Sequence, residues 1–150
     1  MEYIRKATPD DINRIAEIEI FNYRLNFYPI FRNDEYYFDE LQVSTKVEEY
    51  QHAPSLIGGI YVYDDSVVKG FAAIKGNELC KLFVEPVLQG NNIGTSLLEY
   101  AIKEHNVSFL WALEKNTRAI SFYTRHGFFI TDEWKYEDGT TEFLVKMKLK

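Results

Sequence analysis

The segment Gln89–Gly94, which reads Gln-Gly-Asn-Asn-Ile-Gly, has the composition of a loop that binds an anion. It lies between an apolar run, Leu79–Val84, and a segment in which apolar residues recur at helical spacing from Ile93. The first N–H groups of a helix have no helical partner, and the helix dipole adds partial positive charge there. The segment therefore predicts a strand, a turn and a helix whose N-terminus can hold a phosphate.

Taken alone, this turn is equally compatible with ordinary loop chemistry. A Walker A loop is excluded because no Lys-Ser or Lys-Thr pair follows the glycine. A dinucleotide-binding fold is disfavoured because the segment lacks Gly-x-Gly-x-x-Gly and lies in the middle of the chain.

A second segment whose residues could take part in binding or catalysis begins at Asn116 and ends at Phe128. Asn116 can cap a helix, and Gly127 stands where a left-handed residue would end it. Asn116 and Tyr123 are seven residues apart, so they lie on one helix face, about 10 Å from each other along the axis.

The elements that must position these segments follow from apolar periodicity and turn residues. We predict strands over Tyr3–Ala7, Gly58–Tyr63, Val67–Ile74, Leu79–Val84, Val107–Leu113, Phe128–Tyr136 and Thr140–Leu149. We predict helices from Thr8 to about Tyr23, over Asp34–Gln51, from about Asn92 through Ile102, and over Asn116–His126, with an aromatic loop after Tyr23. The order βααβββαβαββ indicates an α/β (α+β) fold with a mixed sheet of about seven strands and about four helices. Because three strands follow one another without a helix, a flavodoxin-like fold is disfavoured.

Length, composition and net charge limit which classes of function the protein can have. A chain of 150 residues is long enough for one domain with one core. The net charge of −6 argues against a nucleic-acid partner and favours cationic substrates such as amines. The polar start, Met1–Arg5, and the lack of a long apolar run predict no signal peptide, no membrane partner and a cytoplasmic location. No cluster has metal-ligand spacing, so we expect no metal, and we expect Cys80 to be a small core residue.

Two motifs resemble the GNAT superfamily of N-acetyltransferases. Leu82–Pro86 followed by Gln89–Gly94 is similar to that family's acetyl-CoA strand and pyrophosphate loop. Asn116-x-x-Ala119-x-x-Phe122-Tyr123-x-x-x-Gly127-Phe128 is similar to its later helix. The element order also agrees from end to end. The resemblance implies a single acetyl-CoA-dependent N-acetyltransferase domain over residues 1–150, with a GNAT-like fold.

The resemblance also implies which groups hold acetyl-CoA. Main-chain groups of Phe83 and Val84 would bond the pantetheine arm, and N–H groups from Gln89 to Thr95 would hold the pyrophosphate. The residues implied in cofactor binding are Leu82, Phe83, Val84, Gln89, Gly90, Asn91, Asn92, Ile93, Gly94, Thr95, Asn116 and Tyr123. The family usually has glycine where this chain has Asn92. Asparagine tolerates positive φ, but its side chain could either crowd the phosphate or hydrogen-bond to it.

For catalysis, the resemblance implies that Tyr123 is the general acid for the CoA thiolate. A phenol with a reference pKa near 10 stays protonated at neutral pH until the thiolate forms. Glu78 occupies a position where some members of the family have a carboxylate that deprotonates the amine, directly or through water. The alternative for Glu78 is an ordinary exposed turn glutamate.

The acceptor site is expected in the aromatic loop, with Tyr23, Phe27, Tyr28, Phe31 and Arg32, and in the final hairpin, with Trp134 and Tyr136. Aromatic rings suit an amine with an apolar body or a cation held against a ring, and they equally suit ordinary packing. The acceptor would be a small-molecule or peptide amine, and a homodimer is possible. A non-catalytic domain that binds or senses acyl-CoA is the alternative function.

Overall fold

The computed structural model describes residues 2–150 and contains a seven-stranded mixed sheet in the order β1-β2-β3-β4-β5-β7-β6. The strands are β1 Ile4–Lys6, β2 Ile60–Asp64, β3 Val68–Lys75, β4 Glu78–Val84, β5 Phe109–Leu113, β6 Phe128–Tyr136 and β7 Phe143–Leu149. The helices are α1 Ile12–Asn22, α2 Tyr28–Phe31, α3 Val43–His52, α4 Ile93–His105 and α5 Thr117–Arg125. The predicted fold class and element order are confirmed, with the short α2 as an addition.

The sheet separates two apolar clusters. Neighbouring residues of β3 point to opposite faces, as the pleat of a strand requires. Ala72 belongs to the cluster that includes Leu97 and Leu98 of α4. Phe71 belongs to the cluster that includes Ile15 of α1 and Tyr50 of α3. Helices α1 and α3 therefore cover one face of the sheet, and α4 covers the other.

The aromatic loop expected after Tyr23 is wrong, because the chain stays helical there. A π-helical segment, Tyr23–Phe27, follows α1 directly and leads into α2. Arg32 is the C-cap of α2 and has a left-handed φ of 52°. The apolar side chains of this segment and of α2 are ordered because they pack against a small buried cluster of Ile20, Tyr37 and Leu41.

The helix predicted over Asp34–Gln51 is also wrong in its extent. A second π-helical segment spans Glu35–Glu40, and the chain then becomes extended at Leu41 before α3 begins at Val43. The Leu41 N–H reaches back to the Tyr36 carbonyl at 2.7 Å, which is an i to i+5 bond that ends the segment. Periodicity cannot show such an interruption, because π-helical turns are rare and have no simple apolar spacing.

Gly70 is the close-contact point between β3, β4 and α4. A Cβ placed on Gly70 would lie 2.9 Å from the Phe83 carbonyl oxygen and 3.2 Å from side-chain atoms of Ile93 and Leu97. A Cβ on Gly58 would meet nothing within 4 Å. The two glycines therefore form a matched pair for testing how closely α4 must approach the sheet.

We predict that Gly70→Ala lowers the free energy of unfolding by about 1–3 kcal/mol, the usual cost of overpacking a core. Gly58→Ala should change it by less than about 1 kcal/mol, with either sign. Urea denaturation of both variants measures this difference. Equal stabilities for the two variants would show that α4 and β4 can move apart without cost.

Candidate active site

The central feature is the divergence of the parallel strands β4 and β5. They pair only through Glu78 with Phe109 and Leu79 with Leu110. Beyond these pairs the strands separate, and a cavity of about 930 Å³ opens between them. This volume lies within the range of small-molecule sites, which is about 300–1,000 Å³.

A β-bulge at Cys80 shapes the wall of the cavity. On the β3 side of β4, Ile74 pairs with Leu79 and Ala73 with Lys81, so Cys80 has no partner in the register. The predicted core position of Cys80 is wrong, because the residue is exposed and lines the cavity. Partial burial and then the nearby Glu78 carboxylate raise the pKa of the Cys80 thiol. Cys80 is therefore held as a protonated thiol rather than as a nucleophilic thiolate.

The predicted phosphate loop has the backbone that anion binding needs. Gly90 and Asn92 both have positive φ, 93° and 64°, so the expected left-handed conformation of Asn92 is confirmed. Among the described residues, the N–H groups from Gly90 to Thr95 donate to no partner, and Ser96 is the first to bond back, to the Asn92 carbonyl at 3.0 Å. The loop therefore presents a row of free donors at the start of α4.

Gln89, unlike the other residues of the phosphate loop, is held by side-chain hydrogen bonds to α1 and β4. Its side-chain amide donates to the Asn22 Oδ1 at 3.1 Å and to the Val84 carbonyl at 3.3 Å. Asn22 is almost fully buried and also donates to the Val84 carbonyl, at 2.9 Å. Gln89 and Asn22 thus fasten the phosphate loop to α1, and the Val84 carbonyl is already occupied. Asn22 was not predicted as a site residue, although a polar residue on the apolar face of α1 is a signal that the sequence contains.

Helix α5 forms the opposite wall. The Asn116 side chain caps it by accepting the Ala119 N–H at 3.3 Å, as predicted. Tyr123 lines the cavity, and its ring packs edge-on against Phe122 and Phe128 at centroid distances of 5.2 and 5.8 Å. Burial raises the pKa of the Tyr123 hydroxyl, so the group keeps its proton at neutral pH.

Basic side chains of α5 and its C-cap also border the cavity, and they were not predicted as site residues. Arg118, Arg125 and His126 all line the cavity. The His126 Nε2 lies 3.1 Å from the Thr95 hydroxyl, which links α5 to the start of α4. The seven-residue spacing of Arg118 and Arg125 places them on one helix face, a signal that the sequence contained.

The predicted site residues separate into those that line this cavity and those that do not. The cavity is lined by Tyr23, Phe27, Leu82, Phe83, Val84, Gln89, Gly90, Asn92, Gly94, Thr95, Asn116 and Tyr123. Asn91 bonds the Leu88 carbonyl through its side chain, and Ile93 is buried in the core. Glu78 does not line the cavity, since it lies at the paired end of β4.

The predicted acceptor residues divide between two places. Tyr23 and Phe27 stack at 5.2 Å and line the main cavity. Tyr28 and Phe31 pack against Tyr37 instead, at centroid distances of 5.9 and 6.3 Å.

A second cavity, of about 670 Å³, lies between Phe31 and the final hairpin, which contributes Tyr136 and Glu137. Glu137 lines both cavities, so it marks where they adjoin. Trp134 lines neither cavity and is 56% exposed, and Arg32 also lines neither.

A buried carboxylate lies behind the Tyr23 side of the main cavity. Glu19 has no exposed surface, and it accepts hydrogen bonds from the hydroxyls of Tyr23 and Tyr50, both at 2.5 Å. The Lys81 ammonium, 2.8 Å away, also donates to it, and Lys46 lies at 3.7 Å. Burial opposes the ionised form, but Lys81 and the hydrogen bonds outweigh burial and lower the pKa of Glu19. Glu19 is therefore a permanent acceptor at neutral pH.

Within residues 2–150, no group of His, Cys, Asp and Glu side chains has the arrangement of a metal site. No helix in the same range combines the length and the apolar composition needed to cross a membrane.

With this geometry in place, comparisons with known proteins become informative. Residues 57–129 match the family model of the acetyltransferase (GNAT) domain. The Escherichia coli peptidyl-lysine N-acetyltransferase YiaC is 36% identical over 76 residues, which cover 49% of this chain and 52% of YiaC. The Salmonella typhimurium peptidyl-lysine N-acetyltransferase YjaB is 30% identical over 79 residues, 53% of this chain and 54% of YjaB. The chain thus spans about half the length of the curated relatives it matches.

A solved structure extends the likeness in fold. The PaiA N-acetyltransferase from Thermoplasma acidophilum, solved in complex with coenzyme A, superposes with a TM-score of 0.68 at 23% identity. The match covers 97% of each chain. The chain therefore has the fold of this N-acetyltransferase over nearly its whole length, and its residues 57–129 match the GNAT domain model.

Proposed function

We propose that residues 1–150 form one domain that transfers an acetyl group from acetyl-CoA to a primary amine. The observation that carries this proposal is the cavity between β4 and β5, which has unpartnered N–H groups at one end and the Tyr123 hydroxyl in its wall. The family match and the coenzyme A complex of the Thermoplasma relative support it.

The residues of the cavity fit coenzyme A. N–H groups from Gly90 to Thr95 are free to hold the pyrophosphate, and Arg118 and Arg125 offer further positive charge. The unpaired edge of β4, at Leu82 and Phe83, is free to bond the pantetheine arm as an added strand would. Acetyl-CoA would supply the activated thioester, and this chain would hold and orient it.

The chemistry requires a C–N bond to form while a C–S bond breaks. The acceptor nitrogen attacks the thioester carbonyl, and the departing sulfur takes a proton from the Tyr123 hydroxyl. Burial keeps Tyr123 protonated until the thiolate develops, which is the state that a general acid needs. Because Glu78 lies outside the cavity, we favour the version in which it takes the amine proton through water rather than by direct contact.

For the acceptor, we propose a lysine side chain of a peptide. The curated relatives are named peptidyl-lysine N-acetyltransferases. The second cavity is open and lined by Glu137, Asp138 and Glu142. Lys115 pairs with Glu142 at 2.6 Å, so Glu137 and Asp138 are the carboxylates that suit a cationic segment next to the target lysine. A non-catalytic domain that binds acyl-CoA would keep the phosphate loop but would not need Tyr123.

The first prediction concerns cofactor binding at Gly94. A Cβ there would lie 3.5 Å from Phe122 Cζ and 3.7 Å from Val84 Cγ2, which are ordinary contacts, so Gly94→Ala should bind CoA normally. The two further methyls of Gly94→Val would occupy the space that the phosphate needs beside the backbone. We expect its dissociation constant for CoA to rise at least about tenfold by calorimetry. Normal binding by the valine variant would place the phosphate elsewhere, and wild-type protein that binds no CoA at millimolar concentration would refute the function.

The next prediction concerns Asn92, whose φ of 64° is a left-handed conformation that glycine adopts more readily than asparagine. Asn92→Gly favours that conformation, so CoA affinity should be preserved or improved. Calorimetric titration with CoA measures the change. A tenfold weaker affinity would instead mean that the Asn92 side chain bonds the cofactor.

The third prediction separates an enzyme from a sensor. Tyr123→Phe removes one hydroxyl and keeps the ring that packs between Phe122 and Phe128. Turnover should fall by about 10²- to 10⁴-fold, while the melting temperature and the KM for acetyl-CoA stay nearly constant. Steady-state kinetics with an amine found by screening provides the measurement. Full activity would make Tyr123 a packing residue, and loss of CoA affinity without loss of turnover would make it a binding residue.

A further inference from the structure

We propose that Glu19 is a positioning residue for the acceptor amine, because it fixes the Tyr23 hydroxyl so that the Tyr23 oxygen accepts a hydrogen bond from the acceptor nitrogen. This inference rests on the proposed acetyl transfer and names the group that orients the amine. It concerns a buried carboxylate that the chemistry at Tyr123 does not use.

The direction of the Tyr23 hydroxyl follows from its partner. An ionised carboxylate can only accept hydrogen bonds, so at 2.5 Å the hydroxyl hydrogen must lie between Tyr23 and Glu19. The lone pairs of the Tyr23 oxygen then point away from Glu19. Tyr23 lines the cavity, and the proposal directs these lone pairs to a donor that enters the cavity beside the ring. An amine has N–H donors, and one of them bound to Tyr23 leaves the nitrogen lone pair free for attack.

The charge around Glu19 suits positioning better than proton storage. Lys81 and Lys46 lie at 2.8 and 3.7 Å from its carboxylate, so a proton placed on Glu19 would leave the two ammonium groups without their anion. Lys81 also lines the cavity, where its charge is offset by Glu19. Within the Glu19 cluster, which comprises Glu19, Tyr23, Tyr50, Lys81 and Lys46, the two ammonium groups thus keep an ionised carboxylate bonded to the Tyr23 hydroxyl. The Lys81 charge is compensated, so it does not repel a cationic amine.

The backbone at Tyr23 also indicates a functional role. Tyr23 begins the π-helical segment Tyr23–Phe27, and such segments occur frequently at functional sites. The Tyr23 ring is held on two sides, by Phe27 at 5.2 Å and by Phe83 at 5.6 Å. Phe83 lies on β4, the strand that the acyl donor is proposed to follow. The hydroxyl is therefore fixed relative to the proposed position of the thioester.

Tyr50 provides a matched control within the same cluster. It donates to the other oxygen of Glu19 at the same distance of 2.5 Å, it is 3% exposed, and it does not line the cavity. Tyr23→Phe and Tyr50→Phe each remove one hydroxyl hydrogen bond from the same carboxylate, and Tyr50→Phe also removes the acceptor of a 3.3 Å bond from the Lys81 ammonium. Of the two tyrosines, only Tyr23 lines the cavity.

The test compares both variants with the wild-type protein, using a lysine peptide that the wild-type protein acetylates. Tyr23→Phe should lower kcat/KM for the peptide about tenfold, the loss expected from one hydrogen bond, with the KM for acetyl-CoA unchanged. Tyr50→Phe should keep kcat/KM for the peptide within about twofold. Melting temperatures should fall in both variants, because each loses one bond to Glu19, and at least as much in Tyr50→Phe, which also loses the bond from Lys81.

Glu19→Gln tests the positioning role directly. Its amide donates as well as accepts, so it no longer compels the Tyr23 hydroxyl to point inward, and we expect a loss of peptide kcat/KM similar to that of Tyr23→Phe. Combining Glu19→Gln with Tyr23→Phe should add little to either loss, because the two residues act as a unit.

Equal losses in Tyr23→Phe and Tyr50→Phe would overturn the inference, as would unchanged peptide kinetics in Tyr23→Phe, while leaving acetyl transfer itself intact. A wild-type protein that binds CoA but acetylates no amine would overturn both.

Discussion

Parallel pairing between β4 and β5 stops after Leu79 and Leu110, and the arrangement of the whole site follows from that stop. Beyond it, main-chain N–H and carbonyl groups on the facing edges have no strand partner, and such groups must find another. Part of this need is met within the protein, because Asn22 and Gln89 occupy the Val84 carbonyl. The remainder forms an unpaired main-chain edge in the wall of the cavity. A ligand that behaves like an extra strand satisfies that edge, which is the physical basis for proposing a pantetheine arm there.

The second constraint is electrostatic and lies on the other side of β4. A carboxylate without exposed surface costs several kcal/mol unless it is paired and hydrogen-bonded. Glu19 meets this condition only because α1, α3 and β4 each bring a group to it: Tyr23 follows α1, Tyr50 belongs to α3 and Lys81 to β4. A shift of any of these elements would leave a buried charge uncompensated. The cluster therefore fixes how α1 lies against β4, whatever its role toward a substrate.

The sequence predicted the parts of the fold that local patterns determine. Strand and helix order, the cap at Asn116 and the left-handed residues Asn92 and Gly127 all depend on nearby residues, and all are confirmed. The errors have non-local causes. Cys80 looked like a core residue because alternation assumes an unbroken register, and a bulge against β3 turned it outward. The π-helical segments arise from tertiary packing around Tyr37, and the Glu19 cluster joins residues that are up to 62 positions apart.

Features that depend on local sequence patterns and features that depend on distant contacts belong to different halves of the proposed reaction. The first concern the binding of acetyl-CoA, and the second concern the binding of the acceptor amine. The cofactor half relies on main-chain groups and on a loop shape, so it leaves a compact motif, and residues 57–129 match the family model. The acceptor half relies on side chains that lie on both sides of that match: Glu19, Tyr23 and Tyr50 precede residue 57, and Glu137, Asp138 and Glu142 of the final hairpin follow residue 129. Amine selection can therefore change by substitution outside residues 57–129, provided that Asn22, which holds Gln89 of the phosphate loop, is kept. Conversely, an unchanged loop says little about which amine is chosen, because the free donors from Gly90 to Thr95 are main-chain N–H groups that nearly any residue supplies.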